Sequence, residues 1–163
     1  AFSFEPPLLE YMDEKPKKKD EQIINKYMIN EILFTGAYSS ILCVLFLKLP
    51  IIKELYRFNI DSIYLMTAFF GLFIFIGIFN SFNARTHRLN LFANILKNKV
   101  FIIIISFIII VQLFLLYFGG NLFRTSGLTL KEFEIMILLS MTVIPIDFLR
   151  KYLLRKRGIL GGV

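Results

Sequence analysis

Apolar residues in this chain form four long runs separated by short polar segments. The runs cover 29–49, 63–82, 100–118 and 133–149. About 20 apolar residues in a helix span the ~30 Å hydrocarbon core of a bilayer, so each run is predicted to be a transmembrane helix. The stretch 100–111 lacks a polar face, which argues against a soluble helix bundle. The pattern therefore predicts an all-α fold, an integral membrane four-helix bundle.

Turn-forming and capping residues mark the ends of these runs. Pro50 follows the first run and disfavours helix at the residue before it. The Gly-Gly-Asn sequence at 119–121 predicts a turn after the third. Thr129 and Glu132 have the spacing of a capping box at the start of the fourth. Pro145 is expected to kink this last run and to free a backbone carbonyl one turn earlier, near Met141.

The basic residues are distributed unevenly around the four runs. Of the 19 Lys and Arg residues, 14 lie before the first run, between the second and third, or after the fourth. The positive-inside rule therefore predicts a multi-pass protein of the cell membrane with both termini and the middle loop in the cytoplasm. The net charge of +7 comes from these flanking residues, so we expect lipid headgroups rather than nucleic acid as their partner.

Polar side chains within the runs are few. The uncharged ones are Tyr38, Ser39, Ser40, Thr67, Ser106, Gln112, Ser140 and Thr142. A cation site at membrane depth needs several carboxylate or carbonyl oxygens, whereas isolated uncharged groups more often join helices by hydrogen bonds. Gln112 is the strongest candidate for a functional intramembrane polar contact. Asp147 lies one turn before Arg150 and Lys151, which predicts salt bridges at the membrane interface.

Motifs for catalysis are missing from the sequence. It has no glycine-rich phosphate loop, its only histidine is His87 in a basic loop, and its only cysteine is Cys43 inside the first run. Cys43 is interpreted as a small packing residue. The chain alone is therefore predicted to have no catalytic residue, no cofactor and no metal site.

Four segments nevertheless have distinctive sequences. They are 1–20 with Glu5-Pro6-Pro7 and a lysine-rich run, 79–85 ending in Asn83-Ala84-Arg85, 111–120 with its terminal Gly-Gly, and 145–151. In this order they resemble four parts of the P-type cation-transporting ATPases. These parts are the stretch after the sixth transmembrane helix, the link between helices eight and nine, the ninth helix with its turn, and the end of the tenth. The third segment is similar to plasma-membrane-type calcium pumps.

The resemblance implies that the chain holds helices seven to ten of such a pump. Residues 1–26 would be the cytoplasmic loop after helix six, and 27–163 a C-terminal four-span transmembrane domain that supports an ATP-driven cation transporter, with calcium favoured. ATP and Mg would be used by the parent protein, together with its remaining helices and cytoplasmic domains. Glu5, Pro6 and Pro7 would contact the phosphorylation domain and help to couple its movement to transport.

Part of the sequence departs from the family pattern, and other interpretations stay open. In some calcium pumps the eighth helix contributes a carboxylate or amide ligand, whereas 74–79 here is apolar apart from Gly77, which argues against a second calcium site. The main alternative is a self-contained four-span membrane protein with a structural or binding role and no pump activity. An independent pore or carrier is a third interpretation, weakened by the lack of charge at midplane.

Overall fold

The chain is described here by a computed structural model covering residues 26–85 and 95–156. Its helices are α1 (Lys26–Lys48), α2 (Pro50–Leu55), α3 (Ser62–Arg85), α4 (Lys99–Phe118), α5 (Gly120–Phe123), α6 (Leu130–Met141) and α7 (Val143–Lys156), with a short 3-10 turn at Ile95–Lys97. These residues contain no strand, as predicted for an all-α protein. Three helices, α1, α3 and α4, are long and apolar enough to cross a membrane. Glu5, Pro6 and Pro7 lie outside the described residues.

The fourth predicted span is divided into two helices, α6 and α7, that meet at Thr142. Pro145 causes this division because it has no N–H to offer the carbonyl of Met141, and its ring crowds that carbonyl. The amide of Thr142 instead donates to the carbonyl of Leu139 at 3.2 Å, which tightens the turn. The kink expected near Met141 is thus confirmed, whereas a single continuous fourth helix is not found.

Two short helices occupy segments that the sequence predicted only as ends or turns. Pro50 does end α1, but it also begins α2, where its missing N–H costs nothing and its fixed φ suits the first helical position. Beyond α4, Gly120 has φ +48° and begins α5. The positive φ is accessible to glycine without steric cost, so the chain can turn sharply there.

Helix α3 extends three residues beyond the predicted run and ends at Arg85. The segment Asn83-Ala84-Arg85 is therefore the last turn of a helix, and not a link between helices. Its side chains explain the extension, because Asn83 and Arg85 are buried against the rest of the bundle and hold this turn in place. Residues 86–94, which include His87, are not described.

Helix α3 is the centre of the bundle and packs against α1, α4, α6 and α7. Close approach is possible at Gly71, where any Cβ would overlap the side chain of Met136 on α6. Small residues commonly bring membrane helices together in this way. In the same contact between α3 and α6, the ring of Phe75 packs edge-on against the ring of Phe133, with 6.2 Å between the two ring centroids. The core is therefore built around one face of α3.

The outer faces of the bundle are apolar, as expected for a protein surrounded by lipid. Helix α4 has the clearest example, with Ile103, Phe107, Ile110 and Phe114 all exposed. In water such a surface would be an aggregation hazard, but lipid tails are equally apolar and solvate it without cost.

Candidate functional site

Three charged residues on one face of α7 form the centre of a buried cluster. Asp147, Arg150 and Lys151 stand at i, i+3 and i+4, so their side chains meet on the helix surface. Arg150 Nε is 2.6 Å from Asp147 Oδ1, and Lys151 Nζ is 2.8 Å from Asp147 Oδ2. Both predicted salt bridges are present. All three residues are buried inside the bundle, and their position at the membrane interface stays a prediction.

Helices α1 and α3 contribute the remaining members of this cluster. Arg150 Nη2 donates to the hydroxyl of Tyr27 at 3.1 Å and lies 3.5 Å from Glu31 Oε2. Lys151 Nζ donates to the backbone carbonyl of Asn83 at 2.8 Å, near the C-terminal end of α3. We call these six residues the terminal charge cluster: Tyr27, Glu31, Asn83, Asp147, Arg150 and Lys151. They tie the start of α1 and the end of α3 to the end of α7.

Charge balance explains why the terminal charge cluster can be buried. Asp147 is fully enclosed and contacts both cations, and Glu31 supplies the second negative charge that balances them. A buried charge without a partner would cost several kcal/mol, so such groups persist only in paired and hydrogen-bonded sets. Arg150 and Lys151 already form ion pairs with the carboxylates of Asp147 and Glu31. The cluster therefore holds helices together and is poorly suited to binding a further cation. The described residues also contain no group of three or more His, Cys, Asp and Glu side chains that could hold a metal.

A second polar contact stabilises the kink between α6 and α7. The Tyr38 hydroxyl donates to Thr142 Oγ1 at 2.6 Å, and the Thr142 hydroxyl donates to the carbonyl of Leu139 at 2.5 Å. Asn83 Nδ2 donates to the carbonyl of Val143 at 3.2 Å. Tyr38 and Thr142 thus join helices by a hydrogen bond, as expected for uncharged polar residues in the spans. The kink is held by side chains from both α1 and α3.

Gln112 lies on the buried face of α4, with 3% of its surface exposed. Its amide nitrogen has no hydrogen-bond partner among the described residues. The structure therefore places the Gln112 side chain inside the bundle, where it makes no hydrogen bond to the terminal charge cluster. Its role as a functional polar contact stays a prediction.

The opposite end of the bundle is closed by a salt bridge between the α2–α3 loop and α6. Arg57 Nε and Nη2 donate to the two carboxylate oxygens of Glu132 at 2.7 and 2.8 Å. The buried Tyr56 hydroxyl donates to the carbonyl of Glu132 at 2.9 Å. Thr129 and Glu132 form the predicted capping box. We call Tyr56, Arg57, Thr129 and Glu132 the loop clamp.

The loop clamp gives stability a pH dependence. Burial raises the pKa of Glu132, but hydrogen bonds from Arg57 and Thr129 outweigh it and leave the pKa below its usual value. A lowered pKa means that the clamp stabilises the fold above the pKa of the unfolded carboxyl, about 4.3, and that this contribution disappears as pH falls through the folded value.

We therefore expect Glu132→Gln to lower the thermal midpoint at pH 7 and to differ less from wild type as the pH is lowered toward 4. Midpoints measured at several pH values for the full-length protein test this. The matched control is Glu134→Gln, which changes an exposed carboxylate two residues away. If the difference in thermal midpoint between wild type and Glu132→Gln grew as the pH was lowered, the proposed pairing of ionised Glu132 with Arg57 would be contradicted.

Sequence reasoning missed the long-range members of both sites. Glu31 lies near the start of the first predicted run and Asp147 near the end of the fourth, but nothing in the sequence paired them through Arg150. Tyr27 and Glu31 stand one turn apart and share a face of α1, which is the one signal that could have suggested a polar contact there. The Arg57–Glu132 pair joins residues 75 positions apart, beyond the reach of any local pattern.

Comparison with known proteins adds an independent observation. A family model described as "Cation transporting ATPase, C-terminus" matches residues 1–153. The chain is 28% identical to a calcium-transporting ATPase of Dictyostelium discoideum, PAT1, over 91% of the chain and 14% of that protein. It is 30% identical to the plasma-membrane-type calcium-transporting ATPase 10 of Arabidopsis thaliana, over 78% of the chain and 12% of that protein. It is 27% identical to the plasma membrane calcium-transporting ATPase mca-1 of Caenorhabditis elegans, over 88% of the chain and 12% of that protein. The matched region is thus a small part of each relative.

Proposed function

Because this chain belongs to the family of cation-transporting ATPase C-termini, we propose that it forms the C-terminal transmembrane support of an ATP-driven calcium pump. The family match along residues 1–153 is the observation that carries this proposal. The three relatives named above are all calcium-transporting ATPases, which favours calcium as the transported cation. ATP and Mg would be bound by other parts of the parent protein.

The geometry of the bundle suits a support rather than a moving element. Salt bridges and hydrogen bonds join α1, α3 and α7 at one end, and the loop clamp joins the α2–α3 loop to α6 at the other. Buried pairs of this kind resist sliding of one helix past another, because any separation leaves a charge unpaired in a medium of low dielectric constant. A pump that alternates access needs part of its membrane domain to stay fixed while other helices move.

The proposed topology has four spans, with both termini in the cytoplasm of a cell-membrane protein. Helices α6 and α7 together would contain the fourth span, the predicted run 133–149, with only Thr142 between them. In this arrangement the terminal charge cluster lies at the cytoplasmic side. The loop clamp lies at the outer side. The basic residues that flank the spans support this orientation through the positive-inside rule.

ATP-dependent calcium uptake by vesicles that contain the full-length parent protein tests the proposal. We expect uptake that requires both ATP and Mg, and no uptake in matched vesicles that lack the protein. Absence of calcium uptake, with transport of another ion in its place, would reject the calcium assignment. Absence of any ATP-dependent transport would favour the self-contained four-span protein.

The same vesicles test the proposed coupling role of Glu5, Pro6 and Pro7. Replacement of the three residues by alanine should lower the amount of calcium moved per ATP hydrolysed, because the segment would then transmit movement of the phosphorylation domain less directly. The lysines at 17–19 offer a control in the same segment. If the amount of calcium moved per ATP hydrolysed is unchanged in the Glu5-Pro6-Pro7 variant, these residues do not have the proposed coupling role. The proposed support role of the helices would not be affected by that result.

A further inference from the structure

Large apolar side chains are exposed at the end of the bundle that carries the loop clamp. Ile51 of α2 and Ile60 of the α2–α3 loop are 76% and 77% exposed, and Leu122 of α5 is 85% exposed. Phe118 at the end of α4 and Leu130 at the start of α6 are exposed as well. We call these five residues the apolar rim. They lie at the ends of the long helices or in the connections between them, so the hydrocarbon core of the bilayer does not by itself account for them.

Helix α2 folds back over the end of α1. Leu49, between the two helices, has an extended backbone with ψ 127°, which changes the direction of the chain. The ring centroids of Phe46 and Tyr56 are only 5.2 Å apart. A straight helix would separate two residues at this spacing by about 15 Å along its axis. Because the Tyr56 hydroxyl also reaches the carbonyl of Glu132 on α6, α2 lies across the end of the bundle and does not project away from it.

Helix α5 folds back over the end of α4 in the same way. The hydroxyl of Thr125 donates to the carbonyl of Leu115 at 2.8 Å, although a straight helix would again place these residues about 15 Å apart. The next amide, of Ser126, donates to Thr67 Oγ1 on α3 at 3.0 Å. Any Cβ at Gly119 would overlap Thr125 Oγ1, so glycine permits this close return. Both short helices therefore cover the same end of the bundle.

The two folded-back helices lie at the depth of the lipid headgroups. Helix α4 has 20 residues and is about 30 Å long, which equals the thickness of the hydrocarbon core. The headgroup region adds about 5–8 Å on each side of that core. Since α2 and α5 return over the ends of α1 and α4, they stay within this thin layer. A straight extension of either long helix would have carried the chain through it into water.

Exposed basic residues accompany the apolar rim. Lys48, Arg124 and Lys131 are exposed, and none of them forms an ion pair with another residue in the described ranges. Arg124 is two residues from Leu122, and Lys131 is next to Leu130. Water would suit only the cations, and the hydrocarbon core would suit only the apolar side chains. The headgroup layer suits both, because the acyl boundary accepts apolar groups while phosphates accept Lys and Arg.

We propose that the apolar rim and its exposed basic residues bind phospholipid in the headgroup layer, so that α2 and α5 are interfacial anchors that fix the depth of the bundle. In the proposed topology this layer belongs to the outer leaflet. The inference rests on the membrane placement within the proposed function, and it is independent of the transported ion. Anchors of this kind would keep a supporting bundle at constant depth while other helices of the pump move.

Depth-dependent fluorescence quenching tests this placement in the full-length parent, reconstituted in phosphatidylcholine nanodiscs. The fluorescent amino acid dansylalanine replaces Ile51 or Leu122 in turn. It also replaces Phe107, near the middle of α4 and 65% exposed, as the matched control. We expect spin-labelled headgroups to quench the probes at 51 and 122 most strongly, and spin labels near the ends of the acyl chains to quench the probe at 107 most strongly. A water-soluble quencher should have a weak effect at all three positions.

Three other results would each overturn the proposal. Quenching at 51 and 122 only by the water-soluble quencher would place the apolar rim in water. Strongest quenching by the deep spin label would place it in the hydrocarbon core. Protection from every quencher would show that protein covers it, either another part of the pump or a separate partner. None of these readings requires transport, so failure of calcium uptake and failure of the anchor assignment are separate results.

Thiol labelling covers the case in which the bulky probe prevents folding. Ile51→Cys is compared with Asn59→Cys, which changes an exposed polar residue in the adjoining α2–α3 loop. In nanodiscs we expect a water-soluble maleimide to react at least about tenfold more slowly with the cysteine at 51, because a thiol at an apolar boundary has a raised pKa and forms less of the reactive thiolate. Mass spectrometry reads each site separately, and the two rates should converge after unfolding in detergent. Equal rates in nanodiscs would overturn the proposal.

Discussion

Asp147→Asn is expected to cost the fold about 3–5 kcal/mol, because it leaves Arg150 and Lys151 buried with one carboxylate removed. Both cations lie within 2.8 Å of Asp147, and none of the three side chains is more than 2% exposed. Because these side chains are buried, water cannot reach the unpaired cations and stabilise their charge in place of the lost carboxylate. The measurement is thermal unfolding of the full-length protein in detergent, followed by size-exclusion chromatography of the surviving folded fraction.

A double variant separates loss of charge balance from loss of shape. Lys151→Met removes one of the two cations while keeping a long apolar side chain, so the pair Asp147→Asn and Lys151→Met should be less destabilising than the sum of the two single variants. Glu134→Gln, at an exposed carboxylate on α6, serves as the control and should change stability little. Additive effects of the two substitutions would show that Asp147 and Lys151 do not interact as described.

Phe75→Ala is expected to cost about 2 kcal/mol or more, because it opens a cavity at the centre of the helix bundle. Phe75 is 4% exposed, and its ring packs against Phe133 at 6.2 Å and Phe79 at 6.3 Å between centroids. In a membrane the unfolded helices are already surrounded by apolar lipid, so transfer from water contributes little. The cost therefore comes from the packing contacts that are lost.

Phe107→Ala is the matched control for this substitution. Phe107 is 65% exposed on α4, where lipid can fill the space left by the ring. We expect a change in unfolding free energy within about 0.5 kcal/mol. The two variants are compared by denaturant titration of the full-length protein in lipid–detergent mixtures. Equal losses would mean that α3 does not form the core of the bundle.

Local sequence determined the parts of the fold that depend on neighbouring residues. The lengths of the apolar runs fixed α1, α3 and α4, since backbone groups in lipid must be satisfied within a helix. Pro145 predicted the kink, and Thr129 with Glu132 predicted the cap of α6, because both effects act within one turn. Salt bridges from Asp147 to Arg150 and Lys151 followed from spacing on one helix face in the same way.

Features that join distant residues could not be read from these patterns. The sequence of an apolar run does not indicate which face of the helix packs against the rest of the protein. The central position of α3 and the exposure of α1 are therefore seen only in the folded chain. For the same reason the sequence did not predict that Asp147 is enclosed by other helices. Its burial depends on Tyr27, Glu31 and Asn83, which belong to other helices.

By itself, then, the sequence determined that this protein is helical and membrane-embedded, where the cap of α6 lies and where the last run is interrupted, because each of these properties is set within a few residues or by hydrophobic length. Only the tertiary structure decided that the charges at the end of α7 join three helices and that α1 is left largely exposed at the side of the bundle. Both depend on how helix faces pack against one another, and packing is a property of the assembled bundle rather than of any single segment.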